Sequence, residues 1–223
     1  MLDAKRLNLV NPDALIEKQR LPLGMEALDG ILHGGLPLGA VTEIVSEPGH
    51  DGWWPALRAM ARSQGICGVL NHDDSFHPPG AALQGVDLDR LLVVRTGNRR
   101  DALWSLERMA KNPGLVVTLS WLPDLRDVEV RRLQLAAERS GQAVLLMRGS
   151  EPGHASWGAL RLGVRAEPGA PDTRRLRIEV LRMRGGMPGQ AARIEIEHGT
   201  DVVRGSAVVP HRADYAQPGQ AAG

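Results

Sequence analysis

Three short apolar runs constrain this chain more than any other feature. "ICGVL" (66–70), "LVVTL" (115–119) and "AVLLM" (143–147) are continuous, with none of the apolar–polar alternation of a half-exposed strand. Such runs are expected where a sheet is covered on both faces. Helical patterns separate them. "RDALWSLERMAKNPG" places Leu103, Leu106 and Ala110 on one face and stops at Asn112-Pro113-Gly114. "DVEVRRLQLAAERSG" repeats the spacing with Val130, Leu133 and Ala137. Strands joined through helices must run parallel, with right-handed crossovers. The expectation is an α/β fold with a mostly parallel central sheet flanked by helices.

The remaining segments extend this scheme. A strand is expected over 40–45, then a helix opening at Pro55 and stopped by Gly65, with a short run "LLVV" at 91–94. Beyond about residue 148 the texture changes. "RLRIEVLRMR" and "ARIEIE" alternate, which reads as two half-exposed antiparallel strands joined through "GGMPGQ" into a C-terminal hairpin. Residues 1–22 read as a polar arm, 23–209 as the domain and 210–223 as a disordered tail.

Composition removes several function classes. Net charge is +1, so any basic site is local. With one Phe and one Tyr there is no aromatic platform for single-stranded nucleic acid. Cys67 is the single cysteine, which excludes an internal disulfide and a thiolate zinc cluster, and favours a cytoplasmic compartment. Its apolar strand context makes it a core residue. No run approaches membrane-spanning length. His72, Asp73, Asp74 and His77 fall within six residues, but no second cluster completes a ligand set, so they read as a solvated loop. No cofactor is expected.

"EIVSEPGHDGWWPAL" (43–57) has the outline of a phosphate-binding loop: a β-type run, a Gly- and Pro-containing stretch, then a helical pattern. Such a loop works through backbone N–H groups aimed at phosphates, a Lys on the β and γ phosphates, and a Ser/Thr hydroxyl on Mg²⁺. The Lys is missing, and two tryptophans stand where a small hydroxyl residue is needed.

The order of these pieces resembles the RecA fold over roughly residues 21–198. "LPLGMEALDGILHGGLPLGAVTEI" is similar to the segment leading into the RecA phosphate-loop strand, through Gly24, Leu28, Asp29, Gly34, Gly35, Leu36, Pro37 and Gly39. "GVDLDRLLVVR" and "LRIEVLRMRGGMPGQAARIEI" resemble the approach to its third core strand and its C-terminal hairpin. Laid on that pattern, Ser46, Glu47, Pro48, Gly49, His50, Asp51, Gly52 and Trp53 form a degenerate loop. Ser46 and Asp51 replace glycines, Gly52 replaces the Lys and Trp53 the Ser/Thr. Leu119 and Ser120 stand where the metal-supporting Asp belongs. Asp73 falls where the family keeps a water-activating Glu, with a solvated loop carboxylate as the preferred reading. The resemblance therefore implies a RecA-like core that is not an enzyme.

Within that superfamily, the run from Asp87 to Gly141, with its "SWLP", resembles the ImuA family of bacterial mutagenesis cassettes. That resemblance implies a role in SOS-induced, error-prone translesion synthesis. It implies ImuB, RecA and an error-prone polymerase α subunit as partners. A SulA-like inhibitor binding the tubulin-like division protein is the alternative, and a RecA-type ATPase the least favoured. Arg148, Arg161 and Arg165 fall in or beside a segment corresponding to a DNA-contacting loop. With Arg174, Arg175, Arg177, Arg182 and Arg184 they are candidate contacts to DNA or a partner. The competing reading is a solvated strand face. Partner contact is expected mainly beyond about residue 174. Trp121-Leu122-Pro123 and Trp157 are either partner anchors or core.

Overall fold

A computed structural model describes residues 19–46, 52–149, 157–197 and 202–210. A two-stranded ribbon, β1 (Arg20–Leu21) with β2 (Leu36–Pro37), brackets α1 (Glu26–Ile31). The motif residues of this leading segment have defined jobs. The Asp29 carboxylate accepts backbone N–H bonds from Leu23, Gly24 and Met25 at 2.8, 2.9 and 3.0 Å, which closes the turn before α1. Gly35 is required because a Cβ there would lie 2.2 Å from the Leu21 carbonyl oxygen, on a backbone with φ of +124°.

The strands and helices that follow are β3 (Ala40–Ser46), α2 (Trp53–Arg62), β4 (Ile66–Asn71), α3 (Pro78–Leu83), β5 (Leu91–Arg95), α4 (Arg99–Ala110), β6 (Leu115–Ser120), α5 (Asp127–Ser140) and β7 (Ala143–Arg148). Four strands complete the described chain: β8 (Leu160–Glu167), β9 (Thr173–Met183), β10 (Ala191–Glu197) and β11 (Val203–Val209). Among the described residues, nine strands form one sheet in the order β11-β10-β9-β8-β3-β7-β6-β4-β5. From β8 to β5 every neighbouring pair is parallel; from β8 to β11 every pair is antiparallel. As expected, the 115–119 and 143–147 runs are adjacent and parallel.

Each face of the sheet has its own core. One gathers Leu28 of α1, Met60 of α2, Ala81 of α3 and the inward residues of β8–β10, such as Leu162, Ile178 and Ile194. The other gathers Leu106 of α4, Leu133 of α5, Leu70 and Leu146. Helices on both faces explain why the apolar runs do not alternate. At the head of α4 and α5, Glu129 is buried. It accepts from the Arg99 guanidinium at 3.0 Å and from the Arg126 backbone N–H at 2.8 Å. Burial alone would raise its pKa; the bonds from Arg99 and Arg126 outweigh this and hold it down at about 2.

Three sequence expectations change. The helix expected at Pro55 starts two residues earlier, at Trp53, with Pro55 in its first turn. Much of the segment read as a loop around Arg161 and Arg165 is strand β8, at the seam between the parallel and antiparallel halves. The hairpin strands are not half-exposed along their length. Leu176–Val180 is buried throughout, Arg177 and Glu179 included, and β11 adds a further strand beyond the hairpin. The expected arm and tail lie outside the described residues except for 19–22 and Pro210. Among the described residues no helix is long and apolar enough to cross a membrane.

Candidate functional site

Strands β3, β4 and β6 all point their C-terminal ends at one edge of the sheet, the edge where open α/β sheets place ligands. β3 delivers Ser46 there, buried. Glu47, Pro48, Gly49, His50 and Asp51 lie outside the described residues, and the chain resumes at Gly52, ahead of α2. A Cβ on Gly52 would sit 2.4 Å from the Ser46 Cβ and 2.8 Å from its Oγ. The position that corresponds to the phosphate-binding Lys therefore has no room for a side chain. At the position of the metal-binding hydroxyl, the Trp53 indole stacks on Trp121, with centroids 5.7 Å apart and planes at 13°. It also tilts against Phe76 at 6.4 Å. Trp54 is buried in the core beneath. This cluster draws on the start of α2, the turn after β4 and the turn after β6.

The other positions singled out by the resemblance divide between core and surface. Leu119 is in the core, and the Ser120 hydroxyl is fully buried with no hydrogen-bond partner among the described residues. Asp73 is exposed and accepts from the backbone and hydroxyl of Ser75, at 3.2 and 2.7 Å. Its neighbours serve separate local ends. His72 meets the Thr96 hydroxyl at 3.1 Å, Asp74 lies 3.6 Å from Arg95, and His77 caps α3 by accepting from Gly80 N–H. Among the described residues no three His, Cys, Asp or Glu side chains converge as a metal site would require. Cys67 is buried against Ser63, its Sγ 3.0 Å from the hydroxyl, and burial pushes its thiol pKa up.

Beside the aromatic cluster lies a cleft of about 210 Å³ lined by Glu43, Trp121, Leu122, Arg148 and Arg161 among others. Glu43 is buried, 3.9 Å from the Arg148 guanidinium, and Arg148 also donates to the Leu125 carbonyl at 3.3 Å. Arg161 faces Glu43 across the β3–β8 ladder. Sequence reasoning missed Glu43, although an ionisable residue inside "AVTEIV" was the available signal.

The structure brings the remaining arginines together in two groups. Arg165, Arg177 and Arg193 are opposite one another across β8, β9 and β10, with Arg175 two residues on. Their charges are largely met within the chain. Arg175 pairs with Glu195 at 2.7 Å. Arg193 reaches over β9 to Glu167 at 2.7 Å. Arg177, beneath that bridge, contacts Glu179 at 3.6 Å and donates to the Pro210 carbonyl at 2.6 Å. Arg174 lies at the far end of the ladder, opposite Ile196. At the other end of β9, Arg182 donates to the Gly158 carbonyl at 3.0 Å and Arg184 pairs with Glu138 of α5 at 3.4 Å. Leu122 is core, whereas Trp157 is 43% exposed.

Comparison with known proteins points in one direction. The chain is 34% identical over 99 residues to the protein RecA of Cutibacterium acnes, covering 43% of this chain and 28% of that one. It is 33% identical over 110 residues to RecA of Chlorobaculum tepidum, covering 48% and 32%. It is 29% identical over 138 residues to the chloroplastic DNA repair protein recA homolog 1 of Arabidopsis thaliana, covering 57% and 31%. The chain thus spans about a third of the length of the curated relatives it matches. No family model matches it. This distant similarity, with the mostly parallel sheet and its antiparallel extension, supports a RecA-superfamily relationship and a RecA-like core.

Proposed function

We propose that this protein is a non-catalytic RecA-fold adaptor in DNA-damage tolerance, of the ImuA kind, acting in SOS-induced error-prone translesion synthesis in the cytoplasm. The observation that carries the reading is the packing at the strand edge where the RecA pattern places its nucleotide. Gly52 has no space for the side chain that neutralises phosphate charge, and Trp53 stacks on Trp121 where a metal-binding hydroxyl belongs. A fold kept after its catalytic parts are gone is kept for its surfaces. The RecA proteins it resembles supply the DNA-repair context. ImuB, RecA and the error-prone polymerase α subunit are the partners of this reading. Direct DNA contact is a weaker, salt-sensitive component, because most of the candidate arginines already have acids or carbonyls of this chain beside them.

Two measurements test the reading. Titration calorimetry with Mg-ATP gives no binding heat, and the purified chain forms a complex with ImuB without nucleotide. Micromolar ATP affinity that is lost on changing Asp51 would sink the non-catalytic part. Absence of any complex with ImuB, RecA or the polymerase would sink the adaptor part.

A further inference from the structure

Resting on the adaptor reading, we infer that the outer surface of the α4–α5 layer is a docking face for an amphipathic helix of a partner protein, one whose apolar stripe is flanked by Asp and Glu. The two helices lie side by side and parallel. Arg99 meets Glu129 near their starts, Glu107 meets Arg132 midway, and Ser140 bonds to the Ala110 carbonyl at their ends. Their inner faces fill one core of the sheet. Their outer faces carry apolar side chains among the charged ones. Trp104 on α4 is 61% exposed, and Val128 and Leu135 on α5 are 55% and 46% exposed. Trp104 lies between Arg100 and Arg108 at helical spacing, and Val128 and Leu135 are two turns apart on one stripe. Trp157 stands at the flank, with the Arg131 guanidinium 5.2 Å from its ring.

Charge selects the occupant. Arg100, Arg108, Lys111, Arg131 and Arg139 make no ion pair among the described residues. The acids of the same layer are engaged: Glu107 with Arg132, Glu129 with Arg99 and Arg126, and Glu138 with Arg184. Asp101 and Asp127 sit in the first turns, where they favour their own helices. The face thus presents surplus cations around apolar anchors, and Trp and Arg are the side chains that dominate protein interfaces. Nucleic acid is the poorer match. Val128 and Leu135 offer a phosphate backbone nothing, and the Trp104 ring already has the Arg108 guanidinium 5.2 Å from its centroid. Two adjacent parallel helices are a surface onto which a third helix can pack. Several arginines of the hairpin, by contrast, have acids or carbonyls of this chain beside them, so the inference favours this layer over the surface expected beyond residue 174.

Fluorescence anisotropy tests this with the full chain and a designed, fluorescein-labelled helix of about 21 residues, leucine-striped and flanked by glutamates. Its lysine-flanked counterpart and labelled oligothymidylate serve as the other probes. The expected result is micromolar binding of the glutamate-flanked helix at low salt. The double variant Trp104→Ala, Leu135→Ala weakens it about tenfold or more. The pair Arg108→Glu, Arg131→Glu does the same, and Arg175→Gln, in the hairpin and paired there with Glu195, changes nothing. Every substituted side chain is at the surface, and circular dichroism confirms the fold. Failure of the glutamate-flanked helix to bind, or equal binding by all variants, overturns the inference. Tighter oligothymidylate binding lost in the same α4–α5 variants also overturns it, in favour of a nucleic-acid face. Because this probe is independent of ImuB, a lost ImuB complex with intact probe binding would count against the adaptor reading alone.

Discussion

At the scale of single residues, the two positions that matter most are a glycine with no room and a carboxylate with too many donors. Gly52→Ala drives a methyl group into Ser46 and is expected to destabilise the fold by about 1–3 kcal/mol, read from urea unfolding. Gly52→Lys, which restores the letter of the phosphate-loop pattern, is expected to be worse and to bind no ATP. Glu129 has a pKa of about 2 against an ordinary 4.5. Its stabilisation is therefore complete above pH 4.5 and is lost as pH falls through about 2. Glu129→Gln should cost about 1–3 kcal/mol at neutral pH, the range of a hydrogen bond to a charged group, and flatten the acid limb of the stability profile; an unchanged limb would contradict the assignment. Sequence alone exposed the missing Lys, because a motif states which residue type must stand where. It could not expose the contact between Gly52 and Ser46, nor the burial of Glu129, since both depend on how neighbouring elements close on one another.

At the scale of elements, legibility followed hydrophobic pattern. β6 and β7 were readable because both faces are covered and the run is apolar throughout. Strand β8 was not. "LRLGVR" has the two-residue period of a strand, but it follows a Gly-, Pro- and His-containing stretch that reads as loop and draws Arg161 and Arg165 into the same reading. The alternation was the signal, and it was outweighed by its neighbourhood. Leu176–Val180 failed in the opposite sense. A polar residue at every second place reads as solvent-facing, yet Arg177 and Glu179 neutralise one another under the Arg193–Glu167 bridge. β8 is now the element on which both halves of the sheet depend. Leu162→Ala is expected to cost about 2–5 kcal/mol, and hydrogen exchange should accelerate in β3 and β9 together. Acceleration confined to β9 would mean that the antiparallel half opens on its own.

At the scale of the whole molecule, one sheet runs unbroken from β5 to β11 with a core on each face. Strand β8 hydrogen-bonds to both the parallel and the antiparallel half, so the ladder is continuous across their junction and unfolding in urea is expected to be a single transition. Far-ultraviolet dichroism and exchange protection should report the same midpoint. Separate midpoints for 40–148 and 160–209 would show two cooperative units instead. The same architecture separates the two surfaces of functional interest. The Trp53–Trp121 cluster lies at the strand ends, and the exposed Trp104 and Leu135 lie on the outer side of the α4–α5 layer.

The stack of Trp53 on Trp121 has an optical consequence. Two indoles with centroids 5.7 Å apart and nearly parallel planes couple their electronic transitions, and the coupling vanishes when the rings part. The chain thereby carries an intrinsic chromophore pair at the C-terminal ends of β4 and β6. A paired positive and negative dichroic band from that coupling, erased by Trp121→Leu, would let closure of this edge be followed by light while partners bind elsewhere.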